Sequence, residues 1–341
     1  MKVDISDRLF HFRFAAGPSR GVYHPRRSWF VTLTDDSGHS GVGECAPLPD
    51  LSCDALPDYD DILRRFARQI EASGEVPYSQ LLNYPSMLFG LETALWQLGK
   101  GFSALDDTPF AKGEEGIPIN GLIWMGNYDE MSRRLEEKLQ QGFHCIKLKI
   151  GAIDFDEELS LIRRIRERYG QETIELRVDA NGAFAPDEAL QKMALLAKYD
   201  IHSIEQPIRQ RQWREMAHLC ANTPLPIALD EELIGVNMPA EKECLLDTIR
   251  PQYIILKPSL HGGMSGAEEW IEMARKRGIG SWVTSALESN VGLNAIAHFA
   301  ATMYGPRITM PQGLGTGQLF TDNIPMPLQI RGEQLWISKR S

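Results

Sequence analysis

From residue 117 onward, short apolar runs alternate with longer amphipathic stretches. The runs fall at residues 117–123, 145–150, 174–179, 202–205, 226–230, 253–257 and 281–284, with a weaker one at 307–309. Seven stretches with helical periodicity separate them, among them 156–169 and 186–199. Repeated strand–helix units imply a parallel sheet, because each helix carries the chain back to the starting edge. Eight such strands predict a closed barrel.

The ends of these runs carry charge. Lys147 and Lys149 close the second, Asp179 the third, Glu205 the fourth, Asp230 the fifth and Lys257 the sixth. From Lys149 to Lys257 these residues recur every 25 to 30 positions, which is one strand–helix unit. Barrel active sites form at the C-terminal rim, where successive strand ends meet. Three carboxylates therefore converge there, with lysines on both sides. Carboxylates crowded into a low-dielectric site protonate unless a cation offsets them. A hard divalent ion with oxygen ligands solves this, and Mg²⁺ is the expected cofactor, with Mn²⁺ a substitute. Period 2 places Lys147 with Lys149, and Arg177 with Asp179, on one face of their strands. Cations facing a barrel interior must be paired with charge.

The first hundred residues have a different texture. Phe10, Phe12 and Phe14 alternate with polar residues, as do Trp29, Val31 and Leu33, and a short strand is expected at 41–44. Leu63, Phe66, Ala67 and Ile70 are spaced for a helix face, and Pro85 opens an almost wholly apolar helix. A small α+β domain is expected at 1–112, the barrel at 113–318 and a returning tail at 319–341. A hairpin at 328–337 is expected to rejoin the N-terminal domain. The net charge of −10 argues against a nucleic-acid partner. No uncharged apolar run reaches the roughly 18 residues of a membrane span. Acidic residues stand where a signal peptide would be apolar, and the five cysteines have no C-x-x-C spacing. A cytoplasmic location with free thiols is the expectation.

The segments Lys147-Leu148-Lys149, Arg177-Val178-Asp179-Ala180-Asn181, Ile204-Glu205-Gln206-Pro207, Leu229-Asp230-Glu231 and Ile255-Leu256-Lys257-Pro258 resemble the enolase superfamily. The likeness spans nearly the whole chain. It implies an α/β fold: a modified TIM barrel of seven βα units plus a final strand, under an N-terminal α+β capping domain completed by the C-terminal tail. Further segments resemble the o-succinylbenzoate synthase branch: Gly41-Val42-Gly43-Glu44-Cys45-Ala46-Pro47, Pro118-Ile119-Asn120-Gly121, Lys257-Pro258-Ser259-Leu260-His261-Gly262-Gly263 and Thr284-Ser285-Ala286-Leu287-Glu288-Ser289-Asn290. That branch implies a hydro-lyase of menaquinone biosynthesis acting on a small carboxylate substrate by proton abstraction next to the carboxylate. In it Asp179, Glu205 and Asp230 would hold the metal, Lys149 would be the base, and Lys257 would stabilise the anion. Lys147, Arg177, Asn181, Ser285, Glu288 and Ser19 would support or bind substrate. Dipeptide epimerases and N-acylamino acid racemases share the scaffold. The epimerases typically carry Asp-x-Asp after the eighth strand, and residues 311–317 contain no Asp. A non-catalytic ligand-binding barrel is a further alternative, opposed by the intact lysines and carboxylates.

Two patterns are set aside. Gly17-Pro18-Ser19-Arg20-Gly21 matches G-x-S-x-G but lies between two strands, not at a strand-to-helix turn. Gly41-Val42-Gly43-Glu44-Cys45-Ala46 matches a dinucleotide pattern, but Pro47 and Pro49 prevent the helix it needs. His261 is read as a solvated loop residue.

Overall fold

The computed structural model describes residues 1–16, 23–124 and 126–338. Ser19 and the rest of the 17–21 stretch lie outside the described residues. The chain opens with an antiparallel sheet of β1 (Lys2–Ala16), β2 (Tyr23–Thr34) and β3 (Ser40–Cys45), in that order. Helices α1 (Tyr59–Ser73), α2 (Tyr78–Leu81) and α3 (Pro85–Gln97) follow. Tyr59, Ile62, Leu63, Phe66 and Ile70 of α1 fall on one buried face, and Gly74 ends the helix at φ 76°. Helix α3 is buried all round. A Cβ on Gly43 would overlap the carbonyl of Gly90, so bare glycine backbone lets β3 and α3 meet. On its two sides α3 feeds two cores. Met87, Leu88, Leu91 and Ala94 join Trp29, Val31 and Phe66, whereas Phe89 and Trp96 join the larger core that spans the parallel sheet and its helices.

That sheet begins after β4 (Ile117–Pro118) with β5 (Gly121–Ile123), then α4 (Tyr128–Gln140), β6 (Cys145–Lys149), α5 (Phe155–Arg168), β7 (Glu175–Asp179) and α6 (Pro186–Leu196). It continues through β8 (Ser203–Glu205), α7 (Trp213–Asn222), β9 (Ile227–Leu229), α8 (Pro239–Ile249), β10 (Tyr253–Leu256), α9 (Gly263–Lys276), β11 (Gly280–Val283) and α10 (Asn290–Tyr304). Seven parallel strands, β5 to β11, stand side by side in chain order. Two short bridges join the outer edges: Gln312 pairs with Ile119 and Gly313 with Thr284. The Gln312 side chain also accepts the Val283 N–H at 2.7 Å.

Two expectations need correction. The eighth strand position is taken by 312–313 and not by 307–309. Pro306 and the left-handed Arg307 (φ 64°) break any extended run there. The C-terminal hairpin of β12 (Leu328–Arg331) and β13 (Gln334–Ile337) pairs with β4, where Leu335 is buried opposite Ile117. The carboxylate of Glu333 holds it there through the backbone N–H and ring of His144. The stretch just before the hairpin does reach the N-terminal sheet. Phe320 bridges Phe12 and stacks on it at 4.6 Å, and the Thr321 N–H donates to His11 O.

Carboxylates join the two parts. Helix α9 has no capping side chain of its own. Glu92 of α3 fills that role, accepting the Met264 N–H and the Ser265 hydroxyl, both at 2.5 Å. Burial pushes the Glu92 carboxyl up to about 7, against the pull of these donors. The folded chain therefore holds a proton there that the unfolded chain releases near pH 4.5. Stability from this group is full below that value, is lost as pH rises through 7, and then levels off. Glu92→Gln should remove up to about 3 kcal/mol of this pH dependence, read from urea unfolding at pH 4.5 and pH 8. An unchanged difference between the two pH values would show that Glu92 does not titrate in that window.

Candidate active site

The strand register lines up Lys149, Asp179 and Glu205 in one row across β6, β7 and β8, with Lys147 and Arg177 one layer below. Asp230 and Lys257 follow the ends of β9 and β10. The structure brings Lys147, Lys149, Asp179, Asn181, Glu205, Lys257 and Ser285 to one cavity of about 1060 Å³. Its far wall includes Arg13, Leu48 and Leu51 from the N-terminal part. Asp230 is fully buried beneath this cavity and joins it through Lys257.

The three carboxylates are tied by lysines. Lys147 Nζ lies 2.9 Å from Asp179 and 2.5 Å from Glu205. Lys149 Nζ bonds Asp179 at 3.0 Å and Asn181 Oδ1 at 2.7 Å, and lies 5.8 Å from the Trp124 ring centroid. Lys257 Nζ bonds Asp230. Burial disfavours charge on Lys147, but Asp179 and Glu205 outweigh it and hold the ammonium well above the ordinary lysine range. Burial likewise works against charge on Asp179 and Asp230. The lysines overcome it and keep both carboxyls below their usual range. Glu205 behaves oppositely: burial, then the charge of Asp179, push it well above the ordinary value. Glu205 is thus the carboxyl of the three on which burial outweighs the lysines.

Among the described residues no three histidine, cysteine, aspartate or glutamate side chains stand ready as a metal cage. Lysine ammonium groups supply the positive charge between the carboxylates. The donor set nevertheless fits a hard divalent cation. Its donors are all oxygens, and Glu205 Oε1 and Asp230 Oδ1 are buried without a hydrogen-bond partner.

Arg177 does not join the cluster. Its guanidinium donates to Glu175 at 2.7 Å and to Pro311 O at 2.9 Å, and lies 4.6 Å from the Trp282 ring. It reaches, one layer below the rim row, to the segment that bridges the two edges of the sheet. Glu288 is fully buried, and both its oxygens accept serine hydroxyls. His261 is 1% exposed and not solvated. The turn after β10 folds back, so His261 Nδ1 accepts the Lys257 N–H at 2.9 Å.

Sequence reasoning passed over Glu231. It lines the cavity, accepts from Asn181 at 2.9 Å, and leaves Oε2 without a partner. Burial, then Asp230, push its carboxyl up to about 7. The run of three acids Asp230-Glu231-Glu232 at a strand end is the available signal.

The family described as enolase C-terminal domain-like matches residues 130–339, and the MenC N-terminal domain matches residues 20–98. The o-succinylbenzoate synthase of Desulfotalea psychrophila is 47% identical, over 96% of this chain and 96% of that protein. The chain belongs to the o-succinylbenzoate synthase family of the enolase superfamily. The crystal structure of MenC from that organism superposes with a TM-score of 0.86 at 44% identity, covering 99% of each chain. An epimerase is also similar. The L-Ala-D/L-Glu epimerase of Bacillus subtilis is 27% identical over 83% of this chain and 79% of its own. Its substrate-liganded structure reaches a TM-score of 0.82 at 23% identity, a likeness of fold. Within the family's fold no helix among the described residues is long and apolar enough to cross a membrane.

Proposed function

We propose that this member of the family is an o-succinylbenzoate synthase of menaquinone biosynthesis, a hydro-lyase. It converts 2-succinyl-6-hydroxy-2,4-cyclohexadiene-1-carboxylate to o-succinylbenzoate and water. The observation that carries this reading is the pair Lys149 and Lys257 flanking three buried strand-end carboxylates. Residues 1–112 are taken as the capping domain and 113–318 as a barrel of seven βα units plus a final strand; of 319–341, the stretch around Phe320 returns to the N-terminal sheet and the hairpin stays on β4.

Removing a proton next to a carboxylate builds negative charge on that carboxylate. Asp179, Glu205 and Asp230 would hold Mg²⁺, or Mn²⁺ in its place. The bound ion supplies Lewis-acid stabilisation of the developing charge. Lys149 takes the proton at C1, from a position fixed by Asp179 and Asn181. The same nitrogen then returns a proton to the departing hydroxide when both groups leave from one face, releasing water. Lys257, held by Asp230, keeps its ammonium against the delocalised anion. Asn181 and Lys147 fix the base and the carboxylates, and the cavity excludes bulk water once substrate fills it. Aromatisation drives the elimination, so the site must stabilise charge and needs no covalent nucleophile.

Lysines on both sides of the cluster also suit racemisation of an N-acylamino acid, with one base per face. Turnover of the cyclohexadiene, followed by its ultraviolet absorbance, tests the main reading. Loss of the diene with formation of o-succinylbenzoate is expected only with Mg²⁺ or Mn²⁺ present. Failure to consume the diene alongside rapid racemisation of N-succinylamino acids would give the second reading the site.

A further inference from the structure

Glu288 is buried completely, and its carboxyl oxygens accept serine hydroxyls. Its carboxyl group spans two loops. Oε1 accepts the Ser259 hydroxyl, and Oε2 accepts the Ser285 hydroxyl at 2.6 Å. Ser259 lies two residues beyond Lys257, in a turn closed by the Leu260 N–H on Lys257 O at 2.7 Å and the Gly263 N–H on Pro258 O at 2.9 Å. Ser285 follows β11 and lines the cavity. Its hydroxyl oxygen accepts the Leu287 N–H at 3.0 Å, and Leu287 is left-handed at φ 65°. A non-glycine residue in that region stores strain and persists only where its surroundings over-determine it.

The same loop is gripped from outside by the N-terminal part. Arg26 donates to Ala286 O. Glu44 accepts the Ser289 N–H at 2.9 Å, the Ser289 hydroxyl at 2.6 Å and the Gly292 N–H at 2.9 Å. Thus the loop after β11 is clamped on one side by β2 and β3, and handed on the other to the turn that carries Lys257. Burying a carboxyl with only hydroxyl partners is costly, and an apolar residue would fill the space more cheaply. Two loop ends set at a fixed separation are what that cost secures.

We propose that Glu288 is a positioning residue that fixes the Lys257 turn against the clamped loop, so that Lys257 is set relative to the cavity through Ser259. It touches no substrate. The proposal deepens the reading given above, because it presumes that Lys257 serves the reaction.

The test measures kcat and KM of Mg²⁺-loaded enzyme for Lys257→Ala, Glu288→Ala, Glu288→Gln, Ser259→Ala and the double variant Glu288→Ala/Ser259→Ala. Glu288→Ala and Ser259→Ala should each lower kcat by about 10- to 100-fold with little change in KM, because a misplaced group costs rate and not binding. The double variant should be no slower than the slower single one. Glu288→Gln should be close to the parent, since its amide still accepts one hydroxyl and donates to the other. A purely structural role would lower the melting temperature and the active fraction together, leaving kcat per active molecule unchanged. Should Glu288→Ala not fold, Ser259→Ala decides, because it removes a single hydroxyl at the other end. Parent-like kcat in Ser259→Ala, with Lys257→Ala inactive, would overturn the positioning role and leave the reading of Lys257 intact. Parent-like activity in Lys257→Ala would instead overturn that reading.

Discussion

Lys149→Ala is expected to reduce dehydration by about 10²- to 10⁴-fold, the usual worth of a positioned general base. Exchange of the substrate's acidic proton with ²H₂O should vanish with it, because the same nitrogen performs both. Lys257→Ala should fall by about 10²- to 10³-fold, as for other groups that oppose developing negative charge. The two losses differ in kind. If Lys257 only stabilises the anion, its variant retains slow exchange at the same face. On N-succinylamino acids a two-base site behaves otherwise: each lysine variant should keep exchange on one enantiomer and lose it on the other. NMR of each enantiomer in ²H₂O, with both variants, separates one base from two. Retained dehydration in Lys149→Ala would remove Lys149 from the chemistry.

The second large effect is on the metal. Asp230→Asn should weaken Mg²⁺ binding by more than about 100-fold, beyond the range seen when only an outer partner of a ligand is lost. The same change leaves the buried Lys257 ammonium without its carboxylate, so stability should fall as well. Titration calorimetry with Mg²⁺ and chemical unfolding read the two effects separately. In the parent, excess chelator should abolish turnover and added Mg²⁺ or Mn²⁺ should restore it. Full activity in chelator would refute the metal assignment.

The strand-end charges could be read from the sequence because each strand–helix unit repeats the same geometry. Lys149, Asp179 and Glu205 then fall in register, as spacing alone suggests. Features that escaped depend on contacts without a local pattern. The segment 312–313 closes the sheet with two bridges, too few residues to show a period. Glu231 follows an acid already assigned, and nothing in the run says which of the neighbours faces the cavity. His261 looked like a loop residue because the turn that buries it is set by Lys257, Pro258 and the Glu92 cap on a distant helix. The hairpin 328–337 was legible as a hairpin. Its partner was not, because β4 contributes only two residues. Arg177 shares a face with Asp179 as periodicity requires, yet one layer of strand places it on Pro311 and not at the rim.

Helix α3 lends Met87, Leu88 and Leu91 to one core and Phe89 and Trp96 to the other. A junction drawn through the chain between the N-terminal sheet and the barrel therefore severs side chains that both halves need. Neither half expressed alone would have a complete interior. A chimaera joining the N-terminal part of one relative to the barrel of another inherits two sets of packing partners on a single helix. Substitutions on α3 must suit both sets of neighbours at once, so the packing of the two halves is coupled through this helix.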